Sequence, residues 1–149
     1  MLLSKYRYSR FVAKSAKKIN ANTWEVTLKS GYKFSDGTAV TAQLVADCLT
    51  ELKNVPETKY TSLATFTMTA PSDLVVKFAS TKPAHIMESV LAEFAFVVYK
   101  KIGNKFVFTG PYAVDKFVDG KYIDLKPNEH YADNHFGKRP NIQIKLSNR

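Results

Sequence analysis

Apolar and polar residues alternate with a period of two along several short stretches of this chain. Trp24, Val26 and Leu28 alternate with Glu25, Thr27 and Lys29, which predicts a strand with one apolar face. Residues 11–19 read as its partner strand, reached through a turn at Asn20-Ala21-Asn22. Residues 66–69 and 74–78 form a second pair around Pro71-Ser72-Asp73. Residues 111–118 and 121–125 form a third, with Asp119-Gly120 as its turn. Residues 142–146 alternate once more as a final strand, after a loop over 128–140. The apolar run 94–99 reads as a buried strand, 100–104 as a turn, and 106–108 as a short strand.

Two stretches switch to helical spacing. Leu44, Val45, Cys48, Leu49 and Leu52 make one apolar stripe. Thr41 is a good N-cap for that helix, and Asn54 and Pro56 stop it. Pro83 suits the first turn of a short second helix, with Ile86, Met87, Val90 and Leu91 as its buried face. Residues 55–63 are a polar, Thr-rich connection that contains Tyr60. Strand pairs, helix, hairpin, helix and further strands in this order predict an α+β fold: a mixed, largely antiparallel sheet with two short helices.

A length of 149 residues suits a single domain, and 45% hydrophobic content suits a packed core. No apolar run approaches the roughly 20 residues of a membrane span. The first eight residues contain no secretory h-region, so no export signal is expected in this chain. Cys48 is the single cysteine, which excludes an internal disulfide and a four-cysteine zinc site. Its apolar helical neighbours make it a small core residue. The net charge of +9 would draw anionic partners. The lysines and arginines are dispersed, however, and a solvated surface is the favoured reading. The aromatic-basic mix of Tyr6, Arg7, Tyr8, Arg10 and Phe11 fits base stacking with phosphate contacts. It fits a half-solvated strand better, so a small basic nucleic-acid- or protein-interaction domain stays the alternative.

Catalytic chemistry finds no support. The chain has no G-x-S-x-G elbow, no phosphate-binding Walker loop and no H-E-x-x-H. His130 and His135 stand near Glu129 and Asp133 in a loop, but their spacing matches no standard metal site. His85 reads as a surface residue. Asp119 and Asp124 flank a hairpin, and Asp36 belongs to a turn that uses its side chain. None sits in a segment the sequence marks as dry. We therefore expect no catalytic residues, no metal and no cofactor.

Three segments are more specific. Trp24-Glu25-Val26-Thr27-Leu28-Lys29-Ser30-Gly31-Tyr32-Lys33-Phe34-Ser35-Asp36-Gly37-Thr38-Ala39-Val40-Thr41-Ala42 comes first, with Val45 three residues on. Thr109-Gly110-Pro111-Tyr112-Ala113-Val114 comes second. Leu125-Lys126-Pro127-Asn128-Glu129-His130-Tyr131 comes third, followed by Pro140 before the last strand. In this order they resemble the family 5 extracellular solute-binding proteins that serve peptide and nickel ABC importers. The signature positions are Trp24, Gly31, Phe34, Asp36, Gly37, Thr38, Gly110, Pro111 and Tyr112. Phe108 departs from the pattern, because the family has glycine there.

The resemblance implies part of lobe I, the larger lobe, of a periplasmic binding protein type II fold. It also implies a chain that is a fragment, lacking the second lobe and most of the ligand cleft. A non-catalytic substrate-binding role follows, in a periplasmic or extracellular parent protein. The implied partners are a peptide or similar small solute and an ABC transporter permease, with self-association through exposed edges. Oligopeptide binders of the family line the cleft with a tyrosine after the first helix. Tyr60, in Glu57-Thr58-Lys59-Tyr60-Thr61-Ser62-Leu63, is the position that resembles it. The signature residues themselves build turns and core, so they identify a scaffold without reading a ligand.

Overall fold

A computed structural model of the chain describes residues 12–93, 95–132 and 137–145. The segment around Tyr6–Phe11, together with Asp133, His135 and Leu146, lies outside them. The architecture is α+β, and every strand pair among the described residues is antiparallel. Instead of one mixed sheet there are three: four strands in the order β1 (Ala13–Asn20), β2 (Thr23–Leu28), β4 (Val75–Ser80), β3 (Phe66–Ser72); the hairpin of β5 (Tyr99–Ile102) and β6 (Lys105–Phe108); and the meander of β7 (Tyr112–Val118), β8 (Tyr122–Pro127) and β9 (Ile142–Lys145). Turns of two or three residues return the chain beside the strand just completed in four hairpins, whereas the last strand joins its sheet after a longer connection. Two compact units result, one from residues 12–30 and 41–98, the other from residues 31–40 and 99–145.

In the first unit, β1 (Ala13–Asn20) and β2 (Thr23–Leu28) form the expected hairpin. β3 (Phe66–Ser72) and β4 (Val75–Ser80) form the next. Their turn is Asp73-Leu74, later than the sequence suggests, with Pro71 and Ser72 inside β3. Pro71 is tolerated because β3 is an edge strand and its register shifts there. Trp24, Val26 and Leu28 of β2 meet Val76 and Phe78 of β4 and Phe66 and Met68 of β3 on one buried face. α1 (Ala42–Lys53) packs against β3 and β4. Thr41 caps it, its hydroxyl accepting from the Leu44 amide at 3.3 Å. The buried stripe is Ala42, Val45, Ala46, Cys48 and Leu49, while Leu44 and Leu52 are only half-buried. Small alanines at the contact let the helix approach the sheet. Cys48 is buried, as expected, and its thiol donates to the Val97 carbonyl at 3.3 Å.

Two expectations fail after β4. The second helix, α2 (Met87–Val90), starts four residues beyond Pro83. The Ala84 backbone is committed elsewhere: its N–H donates to Ala21 O, and its carbonyl accepts from the Trp24 indole at 2.9 Å. Ile86 therefore points outward at 62% exposure, and Met87 takes the buried place. Within the run 94–99, residues 95–98 are irregular, not a strand. Ala95 is buried, and the Phe96 ring packs 6.3 Å from those of Phe66 and Phe78. Those contacts hold Ala95 and Phe96 on the core without a ladder, while Val97 is 45% exposed.

In the second unit, 100–104 is not a turn. β5 (Tyr99–Ile102) and β6 (Lys105–Phe108) pair across the two residues Gly103-Asn104. β7 (Tyr112–Val118) and β8 (Tyr122–Pro127) form the hairpin seen in the sequence, with Lys121 added to its Asp119-Gly120 turn. β9 (Ile142–Lys145) completes the meander. Cross-strand partners share a face. Val114–Leu125–Ile142 and Phe117–Ile123–Ile144 therefore form two wholly apolar rows on one side. That side is far from dry, with Phe117 60% exposed.

Candidate functional site

The connection from α1 to β3 carries the one residue expected to touch a ligand. It winds into two 3-10 helices, Pro56–Thr58 and Ser62–Thr65, with Tyr60 between them. Thr58 is buried, and its hydroxyl sits 2.6 Å from Leu52 O and 2.8 Å from Val55 O. It thereby adds a side-chain bond to two carbonyls, at and just beyond the end of α1, that also accept backbone N–H groups. Thr61 and Thr65 hydroxyls donate to Thr58 O and Ser62 O. The second 3-10 helix has no side-chain cap from Thr61. Glu93 supplies one from 31 residues away: its Oε2 accepts the Ser62 N–H at 2.9 Å, and its Oε1 accepts the Ser62 hydroxyl.

Tyr60 stands clear of this bonded frame. At 89% exposure it is the most exposed large apolar side chain among the described residues. It is not a packing residue. Lys59 Nζ lies 5.7 Å from its ring centroid, within cation–π range. The loop thus presents an aromatic face and a positive charge side by side on a hydrogen-bonded support. That combination suits stacking on a planar group and attraction of a carboxylate.

The signature residues fall in both units. Trp24 is in the first core. In the second unit, Phe34 is fully buried and Asp36 organises its own turn. The Thr38 N–H donates to Asp36 Oδ1 at 2.9 Å and the Thr38 hydroxyl to Oδ2 at 2.8 Å. Lys100 adds an ion pair to Oδ2 at 3.1 Å and a bond to the Thr38 hydroxyl at 2.8 Å. Burial pushes the Asp36 carboxyl up, but the Thr38 bonds and the Lys100 bond and charge outweigh it, leaving the group below its usual 3.8. Gly37 has φ of 85°, which L side chains rarely adopt. A Cβ there would meet His130 Nε2 at 3.1 Å.

Gly110, Pro111 and Tyr112 meet the third motif directly. Asn128 is 1% exposed. Its Nδ2 donates to Gly110 O at 2.8 Å, its Oδ1 accepts the His130 N–H at 2.9 Å, and its own N–H donates to Pro111 O. Arg139 donates to Pro111 O at 2.7 Å and stacks 5.1 Å over the buried Tyr131 ring. Phe108, the departure from the pattern, sits at the end of β6, and its carbonyl accepts the Ser35 N–H at 2.9 Å. The only positive φ values among the described residues belong to glycines, so Phe108 needs no glycine conformation.

Among the described residues no three of His, Cys, Asp and Glu cluster as a metal site. No helix there is long and apolar enough to cross a membrane. Glu93, Lys100 and Arg139 are the residues sequence reasoning missed. Their partners are remote in sequence, and nothing local marks them.

Residues 8–145 match the profile described as bacterial extracellular solute-binding proteins, family 5 Middle. The chain belongs to that family. Solved structures agree in fold. MppA, a periplasmic murein tripeptide binding protein in its unliganded open form, superposes with TM-score 0.79 at 24% identity, over 93% of this chain and 33% of its own. NikA from Staphylococcus aureus, in complex with Ni(L-His)2, gives 0.77 at 23%, over 90% and 30%. The substrate-binding domain of an oligopeptide ABC transporter from Bacillus anthracis gives 0.71 at 15%, over 91% and 32%. The chain spans about a third of the length of these structures. No curated protein sequence matches it.

Proposed function

We propose that this family 5 chain serves, outside the cytoplasmic membrane, as part of the non-catalytic substrate-binding component of an ABC importer for peptides or related solutes. The observation that carries the reading is the family match across residues 8–145. Tyr60 is its ligand-contact residue, supported by the ring's exposure and its fastened loop. The chain carries one part of the cleft, in keeping with its span of about a third of the solved relatives. The solute then passes to the transporter permease. Self-association of the isolated chain belongs to the same reading, with the apolar face of β7–β9 covered by a second copy.

Isothermal calorimetry with trialanine tests this. A partial cleft recovers little of the cost of association, so a Kd of about 1 mM or weaker is expected, roughly tenfold weaker still for Tyr60→Ala. Binding at about 1 μM or tighter would contradict the partial cleft. Equal affinity of the Tyr60→Ala variant would remove Tyr60 from the site.

A further inference from the structure

The Tyr60 loop is tied down by a residue 31 positions beyond Ser62 and bonded to it. We infer that Glu93 is a positioning residue for solute contact: its carboxylate, bonded to the Ser62 amide and hydroxyl, holds the loop that presents Tyr60 in one conformation. This rests on the proposed role of Tyr60 for its functional meaning, but not for its structural content.

The loop is held at both ends: the fully buried Leu63 lies just beyond it, and side-chain bonds fasten each side. On the near side the buried Thr58 hydroxyl is bonded to the end of α1. On the far side Thr61 offers no side-chain cap, so the first N–H of the second 3-10 helix would face solvent without Glu93. A carboxylate accepting an amide N–H and a hydroxyl is a charge-assisted pair of bonds, stronger than neutral ones. Glu93 is itself held on the turn after α2. Its N–H donates to Val90 O, its carbonyl accepts from Phe96 N–H, and Met87 and Ala95 on either side are buried. The support is therefore core-anchored, while the ring it serves is 89% exposed. Cutting the tie leaves Lys59, Tyr60 and Thr61 strung between Thr58 and the buried Leu63, with no side-chain bond to the Ser62 N–H between them. A loop ordered before binding loses less freedom when solute arrives.

Backbone relaxation of the chain without solute reads the inference directly. Order parameters of residues 59–62 should be near 0.85 in the native chain and below about 0.6 in Glu93→Ala, with β2 and β4 unchanged. Glu93→Gln keeps an acceptor and should recover part of the order, and Ser62→Ala should lose part of it from the other side. Unchanged order at residues 59–62 in both Glu93→Ala and Ser62→Ala overturns the inference. The functional arm is a double-mutant cycle with trialanine. Glu93→Ala should weaken binding about threefold to tenfold in the native background and have no effect on top of Tyr60→Ala. A full effect on top of Tyr60→Ala would show that Glu93 does not act through the ring. If Tyr60→Ala alone changes nothing, the role of Tyr60 falls while the relaxation result stands.

Discussion

Replacing Asn128 with alanine tests the junction at which the second and third motifs meet. Its side chain makes two bonds at 2.8 and 2.9 Å while almost completely buried, so each exchanges protein for water with little screening. At about 1 kcal/mol net per bond, their loss costs about 2 kcal/mol. The Gly110 carbonyl then lacks a partner in a half-buried position, which adds about 1 kcal/mol. The expected total is about 3 kcal/mol. With a urea m-value of about 2 kcal/mol/M, the unfolding midpoint should fall by about 1.5 M. Circular dichroism in urea measures the midpoint. Hydrogen exchange at the Tyr131 amide, bonded to Asn128 O, localises the loss to this unit. Asn128→Asp separates the two bonds, because it keeps the acceptor for His130 N–H but turns a carboxylate toward Gly110 O. It should be at least as damaging at neutral pH. A midpoint shift below about 0.25 M for Asn128→Ala would refute the claim that this side chain locks the two motifs.

Three further outcomes are expected. Gly37→Ala should cost about 2 kcal/mol in thermal or urea unfolding, from a left-handed φ plus contact with His130, whereas Gly31→Ala, with open space around it, should cost only the backbone share of about 1 kcal/mol. Because the Asp36 pKa is lowered on folding, its stabilisation is complete above the unfolded value near 3.8 and is lost as pH falls through the folded value. Melting curves between pH 5 and 2 should therefore show a smaller acid-side loss for Asp36→Asn than for the native chain. Phe117→Ser should lower the concentration dependence of the sedimentation coefficient, because Phe117 is the most exposed residue of the apolar rows on β7–β9.

Elements governed by local pattern were legible in the sequence. The period-two runs located β1, β2 and the β7–β8 hairpin, and Thr41 marked the start of α1 to the residue. The misread segments are those where distant contacts override local preference. Ala84 is bonded to Ala21 and Trp24, which delays α2 past Pro83. The apolar run 94–99 has the composition of a strand, yet residues 95–98 have no ladder partners, and only Ala95 and the Phe96 ring pack on the core. Lys100-Lys101-Ile102 looked like a turn because its pairing depends on residues 105–108. The candidate site rests on different ground. Tyr60 was singled out by the resemblance to oligopeptide binders of the family. Its support by Glu93 was not, since a glutamate 31 residues away carries no local sign of its partner.

On the proposed reading, this family 5 chain contacts solute through the Tyr60 loop. Chemical-shift mapping with trialanine measures that contact by location. The account predicts perturbations concentrated at Lys59, Tyr60, Thr61 and Ser62, saturating with trialanine concentration and absent from those amides in Tyr60→Ala. Perturbations that leave residues 59–62 unchanged at about 10 mM trialanine, where binding of about 1 mM would be near saturation, would contradict it.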